Sequence, residues 1–185
     1  MLNWVKIKKL FPAKRPVVNQ LPYTDDDISG LLADTTSVRN KTFIHFLAAT
    51  GCRVGAIPEL TIEDVKPLED GAIVTIYKDT TEEYRTCLTL ETFYHLKKYL
   101  SQRINTNPNA PLFTTKKNAD PLNLESSRDV IRHIRKQAKL TVDFGRKSAK
   151  GKSQNHAFRK RFSFCLVNAD IQSKFIRYMM RHFEK

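Results

Sequence analysis

The chain has 185 residues, 41% of them hydrophobic, which suits one ordinary domain that buries its core without staples. Thirty-two Lys+Arg against 19 Asp+Glu give a formal charge of +13, which points to a polyanionic partner, with nucleic acid ahead of an anionic membrane surface. No apolar run reaches the roughly 18 residues of a membrane span, the basic start MLNWVKIKKLF lacks the pattern of a signal peptide, and three scattered cysteines argue against a disulfide framework and a cysteine zinc site.

In chain order, residues 1–22 read as a basic arm or interdomain linker whose prolines discourage helix. TDDDISGLLADT opens a helix, with Thr24 as N-cap and Asp25, Asp26 and Asp27 where the helix dipole favours anions. SVRNKTFIHFLAATG places Val38, Phe43, Phe46 and Leu47 largely on one face and ends at Gly51. GAIVTIY and YRTCLTL alternate as half-buried strands around KDTTEE, so residues 71–90 are predicted to form a hairpin. A helix is predicted over ETFYHLKKYLSQRI, then an Asn- and Pro-rich loop through Pro121 with one short strand at PLF. Helical periodicity returns in LESSRDVIRHIRKQAKL, followed by the polar, basic loop DFGRKSAKGKSQN. Two helices broken near NAD are predicted between His156 and His182. The fold class is therefore α+β, mostly helical, with a small antiparallel β-sheet. Cys52, Cys87 and Cys165 are expected as small buried apolar residues suited to a reducing compartment. His45, His95 and His133 lie inside amphipathic helices, match no motif and are expected to be structural.

Gly-rich phosphate loops, dinucleotide fingerprints and HExxH motifs are absent from the sequence, and no compact Asp/Glu cluster suggests a metal-dependent nuclease. The expected chemistry needs no metal and no cofactor. Four basic stretches stand out instead: TGCRVGAIPELTIEDV with Arg53, IYKDTTEEYRTCLTL with Lys78, SQNHAFRKRF with His156 and Arg159, and IRYMMRHF with His182. Their order and contexts resemble the first arginine box, the lysine hairpin, the His-x-x-Arg box and the second histidine box of the tyrosine recombinase (phage integrase) family. The resemblance spans about residues 20–185 and implies that family's catalytic-domain fold over residues 23–185.

The resemblance also implies roles. Arg53 and Arg159 would hold the non-bridging oxygens of a scissile phosphate, because a guanidinium is a permanently charged planar fork. Lys78 would protonate a leaving alkoxide, His156 would assist proton transfer or bind the phosphate, and His182 would add another donor. Arg146, Lys147, Lys150, Lys152, Lys160, Arg161 and Arg181 are candidate contacts to DNA. Double-stranded DNA and other protomers on paired sites are the implied partners, with no membrane role and a cytoplasmic or nucleoid setting, or the host cytoplasm for a viral protein. Phe158 and Phe162 are expected to anchor the helix that carries His156 and Arg159.

Three departures from the pattern stand out. Ala56 occupies the position where the family commonly has an acidic residue, with Glu59 as a substitute only if it turns inward. Arg181 replaces the small residue usual before the second histidine. The family's nucleophilic tyrosine falls about two and a half helical turns past that histidine, so the chain is expected to lack its tyrosine segment and an N-terminal core-binding domain. Tyr178 is expected to pack in the core, and Tyr23, Tyr77, Tyr84, Tyr94 and Tyr99 occupy other segments. The competing readings are a DNA-binding regulator without cleavage activity, a type IB topoisomerase fragment, and an unrelated basic protein for RNA or acidic lipid.

Overall fold

The computed structural model describes residues 21–115, 120–140 and 155–181. Side-chain caps start four of the six α-helices among the described residues. Helix α1 (Asp25–Ala33) has a capping box: the Thr24 Oγ1 accepts from the Asp27 N–H at 3.2 Å, and the Thr24 N–H donates to Asp27 Oδ2 at 2.7 Å. Helix α2 (Val38–Thr50) is capped by Ser37 and stops at Gly51, which adopts a left-handed φ of 56°. A 3-10 segment, Val54–Glu59, follows with Arg53 at its N-cap position and Pro58 inside it.

The sheet has three antiparallel strands in the order β1 (Val65–Leu68), β2 (Gly71–Ile76), β3 (Tyr84–Thr89). The predicted hairpin is β2–β3, with Ile76 opposite Tyr84 and Gly71 opposite Thr89. Strand β1 is an addition to the sequence reading. VKPL carries Lys66 and Pro67 and is mostly exposed, so it offers no apolar alternation; pairing with β2 alone makes it a strand. The strand expected at PLF resolves instead into two isolated bridges, Thr61 to Pro111 and Thr114 to Pro121.

Helix α3 (Leu90–Leu100) follows β3 directly, capped by Thr89, and α4 (Leu124–Gln137) is capped by Asn123. Helices α5 (His156–Asn168) and α6 (Ser173–Met179) are the two predicted near the C-terminus, with the break at residues 169–172.

The core lies between α2, the sheet, α3 and α4. Phe43, Phe46, Leu47, Val74, Ile76, Leu96, Phe113, Ile131 and Ile134 are all essentially sealed from water. Phe113 sits at its centre, edge-on to Phe43 and Phe46 at 5.3 Å and stacked on Tyr99 at 5.8 Å. Helix α5 inserts Ala157 and Phe158 into this core, and Phe158 meets Tyr23 at 4.7 Å. Phe162, Ile176 and Met180 form a satellite cluster joining α5 to α6. The two expected anchors, Phe158 and Phe162, are thus both buried.

Three burial expectations are corrected. Cys52 is buried, but Cys87 and Cys165 are exposed. Cys87 takes an outward position of β3, where inward and outward residues alternate strictly, and Cys165 lies on the outer side of α5. Tyr178 is 44% exposed rather than packed. Helix α6 turns Ile176 and Met180 inward, four residues apart, and Tyr178 midway between them faces the opposite side.

Candidate phosphate-binding site

The C-terminal end of α2 organises the site. A helix ends with orphan carbonyls and a partial negative charge, both of which attract donors and cations. Here Thr50 Oγ1 donates to the Phe46 carbonyl at 2.7 Å, the Gly51 N–H to the Leu47 carbonyl at 3.0 Å, and Thr86 Oγ1 on β3 to the Thr50 carbonyl at 3.3 Å. The Gly51 carbonyl is taken by Arg159, whose Nη1 donates to it at 2.9 Å. Arg159 Nη2 donates to the carbonyl of Met180. One buried guanidinium therefore joins the end of α2, its own helix α5 and the end of α6.

Gly51 is required twice over. Its φ of 56° suits a residue without Cβ, and a Cβ there would stand 2.5 Å from Phe162 Cδ1. The close approach of Phe162 to a bare backbone is what lets α5 bring Arg159 to the helix end.

Arg159 is 6% exposed, and Arg53 is exposed at the mouth of the same site. Burial pulls the proton affinity of Arg159 below the ordinary guanidinium value; the neighbouring Tyr84 phenol opposes this, and the positive charge of Arg53 adds to it. The two cations are close enough to repel each other. Among the described residues neither makes an ion pair. Two guanidiniums with no ion-pair partner among the described residues thus stand beside one helix end, each a planar fork of donors.

Two tyrosines that the sequence reading placed elsewhere line this site. The Tyr84 hydroxyl is sealed against Arg159, within its field but without a well-formed hydrogen bond, and burial pushes the phenol's pKa well above its ordinary value. Tyr77 lies beside Arg53 and Glu59; burial raises its pKa, while Arg53 pulls it down. Inward alternation along β3 was the signal for Tyr84. Tyr77 has a φ of 54°, a left-handed residue ending β2, for which the sequence carried no signal. Cys52, next to Arg53, is fully buried, and burial pushes its thiol up to about 11.

Lys78 stands on the β2–β3 turn, as expected, but its Nζ is held by Glu63 Oε1 at 2.6 Å, and this hydrogen bond raises its pKa. The turn itself is braced: Thr80 Oγ1 donates to the Tyr77 carbonyl at 2.7 Å, and the Asp79 N–H to Glu83 Oε2 at 3.0 Å. Arg181 is bound to the same turn, through Glu82 Oε2 at 2.6 Å and the Thr81 carbonyl at 2.8 Å. Arg161 pairs with Asp25 at 2.6 Å. Lys160 is half-buried and His156 is exposed at the start of α5. Ala56 is buried, and Glu59 remains exposed rather than turned inward. His182, Arg146, Lys147, Lys150 and Lys152 lie outside the described residues.

The arrangement thus unites Arg53 and Arg159, sets Lys78 on the adjoining hairpin in a separate ion pair, and leaves His156 open to solvent at the head of the arginine helix. The family model described as the phage integrase family matches residues 18–185, and the chain belongs to that family. A tyrosine recombinase of Agathobacter rectalis is 27% identical over 147 residues, covering 79% of this chain and 44% of the relative. The chain therefore spans less than half the length of that curated relative. The crystal structure of XerA recombinase superposes with a TM-score of 0.72 at 24% identity, over 95% of this chain and 59% of that one. A lambda integrase dimer bound to a COC′ core site gives a TM-score of 0.70 at 15% identity, over 97% and 49%. At these identities the structural likeness establishes the tyrosine-recombinase catalytic-domain fold. No described helix is long and apolar enough to cross a membrane.

Proposed function

We propose that this chain is the phosphate-activating part of a site-specific DNA recombinase that cuts and rejoins strands through a 3′-phosphotyrosyl intermediate. The observation that carries this reading is the unneutralised pair Arg53 and Arg159 at the end of α2. In the proposed step a tyrosine oxygen attacks the scissile phosphorus, the bond to the 5′ oxygen breaks, and the leaving 5′ oxygen takes up a proton. Arg53 and Arg159 neutralise the charge growing on the non-bridging oxygens. Lys78 supplies the proton once its amine leaves Glu63 for the DNA, and His156 and His182 donate to the phosphate. The covalent intermediate retains the bond energy for rejoining.

None of the six tyrosines follows the position of the second histidine, so the nucleophile in this reading comes from sequence beyond Lys185. An N-terminal core-binding domain joined through residues 1–22 would complete the clamp on double-stranded DNA, with other protomers on the paired site. The cations Lys160, Arg161, Arg181, Arg146, Lys147, Lys150 and Lys152 would contribute backbone contacts, giving a steep salt dependence.

A second reading, DNA binding without cleavage, is favoured by one feature. No carboxylate supports Arg53 from the position of Ala56, and Glu59 stays exposed. The discriminating experiment uses nicked suicide DNA and the protein extended through the coding sequence past Lys185. Covalent trapping that Arg53→Ala lowers by about 100-fold or more, with duplex affinity kept within a few-fold, supports cleavage. Binding with no trapped adduct in the extended wild-type protein supports the second reading.

A further inference from the structure

His45 and His95 match no sequence motif, yet the fold brings them together away from the arginine pair. His45 lies on α2, and His95 lies on α3, one helical turn after Glu91. The two imidazoles stack at a centroid distance of 4.2 Å and an interplanar angle of 15°. A ligating atom from each of His45, Glu91 and His95 falls within 4.8 Å of the other two. Thr42 Oγ1 donates to the His95 carbonyl at 3.1 Å, pinning the two helices beside this cluster.

We propose that His45, Glu91 and His95 form a binding site for a divalent transition metal of the zinc type, clamping α2 to α3. Two imidazoles and one carboxylate are a donor set that zinc accepts, with the fourth position left to water. Tetrahedral coordination at about 2.0–2.2 Å per bond requires the three atoms to close in and the two rings to turn out of their parallel stack so that their lone pairs converge, which side-chain rotation of an exposed Glu91 and two half-buried histidines supplies. Access is open, because His45 and Glu91 also line a cleft of about 520 Å³ between α1, α2 and α5. His45 sits six residues before Gly51 on the same helix. A metal here would therefore stiffen the helix whose end holds Arg159.

The site is independent of the proposed reaction, and its test needs no DNA. The 185-residue chain is titrated with Zn²⁺ by calorimetry, alongside thermal melts and NMR of the histidine rings. Binding of one Zn²⁺ per chain is expected, with ring shifts confined to His45 and His95 and a rise in Tm of about 5–10 °C at saturating metal. His45→Gln and His95→Gln should each weaken binding at least tenfold. Glu91→Gln, at an exposed position that leaves packing intact, should weaken it several-fold. His133→Gln and His156→Gln should bind as the wild type does. Unchanged Zn²⁺ affinity in Glu91→Gln together with ring shifts at other histidines overturns the site, as does the absence of stoichiometric binding to the wild-type chain.

Discussion

Arg159 and Lys78 were read from the same kind of sequence signal, a cation in a short motif, yet the fold treats them in opposite ways. Arg159 is 6% exposed and bonded to the carbonyls of Gly51 and Met180, so it is part of the framework before any substrate arrives. Lys78 sits on a turn at the surface, tied among the described residues to the half-exposed Glu63. The guanidinium side of the site is preorganised and the amine side is adjustable. A group that must sit on a phosphate throughout a reaction benefits from fixed geometry. A group that must deliver one proton at one moment benefits from a movable stem.

The sharpest break of this contrast is Arg159→Ala. It strands two buried carbonyls and unlinks α5 from the end of α2, so a loss of about 2–4 kcal/mol of stability is expected by denaturant unfolding. A melt within experimental error of the wild type would show that Arg159 is not a structural element. Gly51→Ala tests the same junction from the other side. The left-handed φ and the collision with Phe162 Cδ1 predict a loss of about 1–3 kcal/mol, measured the same way.

Alkaline titration sharpens the buried side. Cys52 is raised from 9.0 to about 11 and Tyr23 from 10.0 to about 12, both by burial. The folded state thus holds protons that the unfolded chain releases. The stabilising contribution is complete below pH 9 and is lost as pH rises through about 9 to 12. Cys52→Ala should delay the onset of that decline in a stability-against-pH series, and an unchanged onset would remove Cys52 as its source.

The smallest structural effect belongs to Glu63→Gln on the lysine side. An exposed ion pair adds little to stability, so the melting temperature should not change measurably. The Lys78 amine should lose the upward pKa shift that Glu63 causes, read by NMR titration of its ε-methylene carbon. A large drop in Tm would show that the hairpin is anchored through this pair, and would collapse the contrast with Arg159.

Much of the molecule was legible from local signals. Thr24 and Gly51 marked helix ends because capping chemistry is decided within a few residues. The β2–β3 hairpin and the helices bearing His156 and Ile176 followed from alternation and period, which belong to the chain itself. Family membership was legible because four motifs kept their order along the sequence.

Other features depended on partners distant in sequence. VKPL became a strand only beside β2, and Tyr178 faced water because Ile176 and Met180 took the single inward stripe of a short helix. The sequence alone determined which segments are α-helical and which cations are available, while the helices predicted through Ile104 and Leu140 stop earlier, at Leu100 and Gln137. Only the tertiary structure decided which cations are spent and which are kept. Arg181, Arg161 and Lys78 found carboxylates, whereas Arg53 and Arg159 were gathered at one helix end without any among the described residues. The physical reason is that charge neutralisation acts through space, between Asp25 and Arg161 or Glu82 and Arg181, and leaves no trace in local sequence.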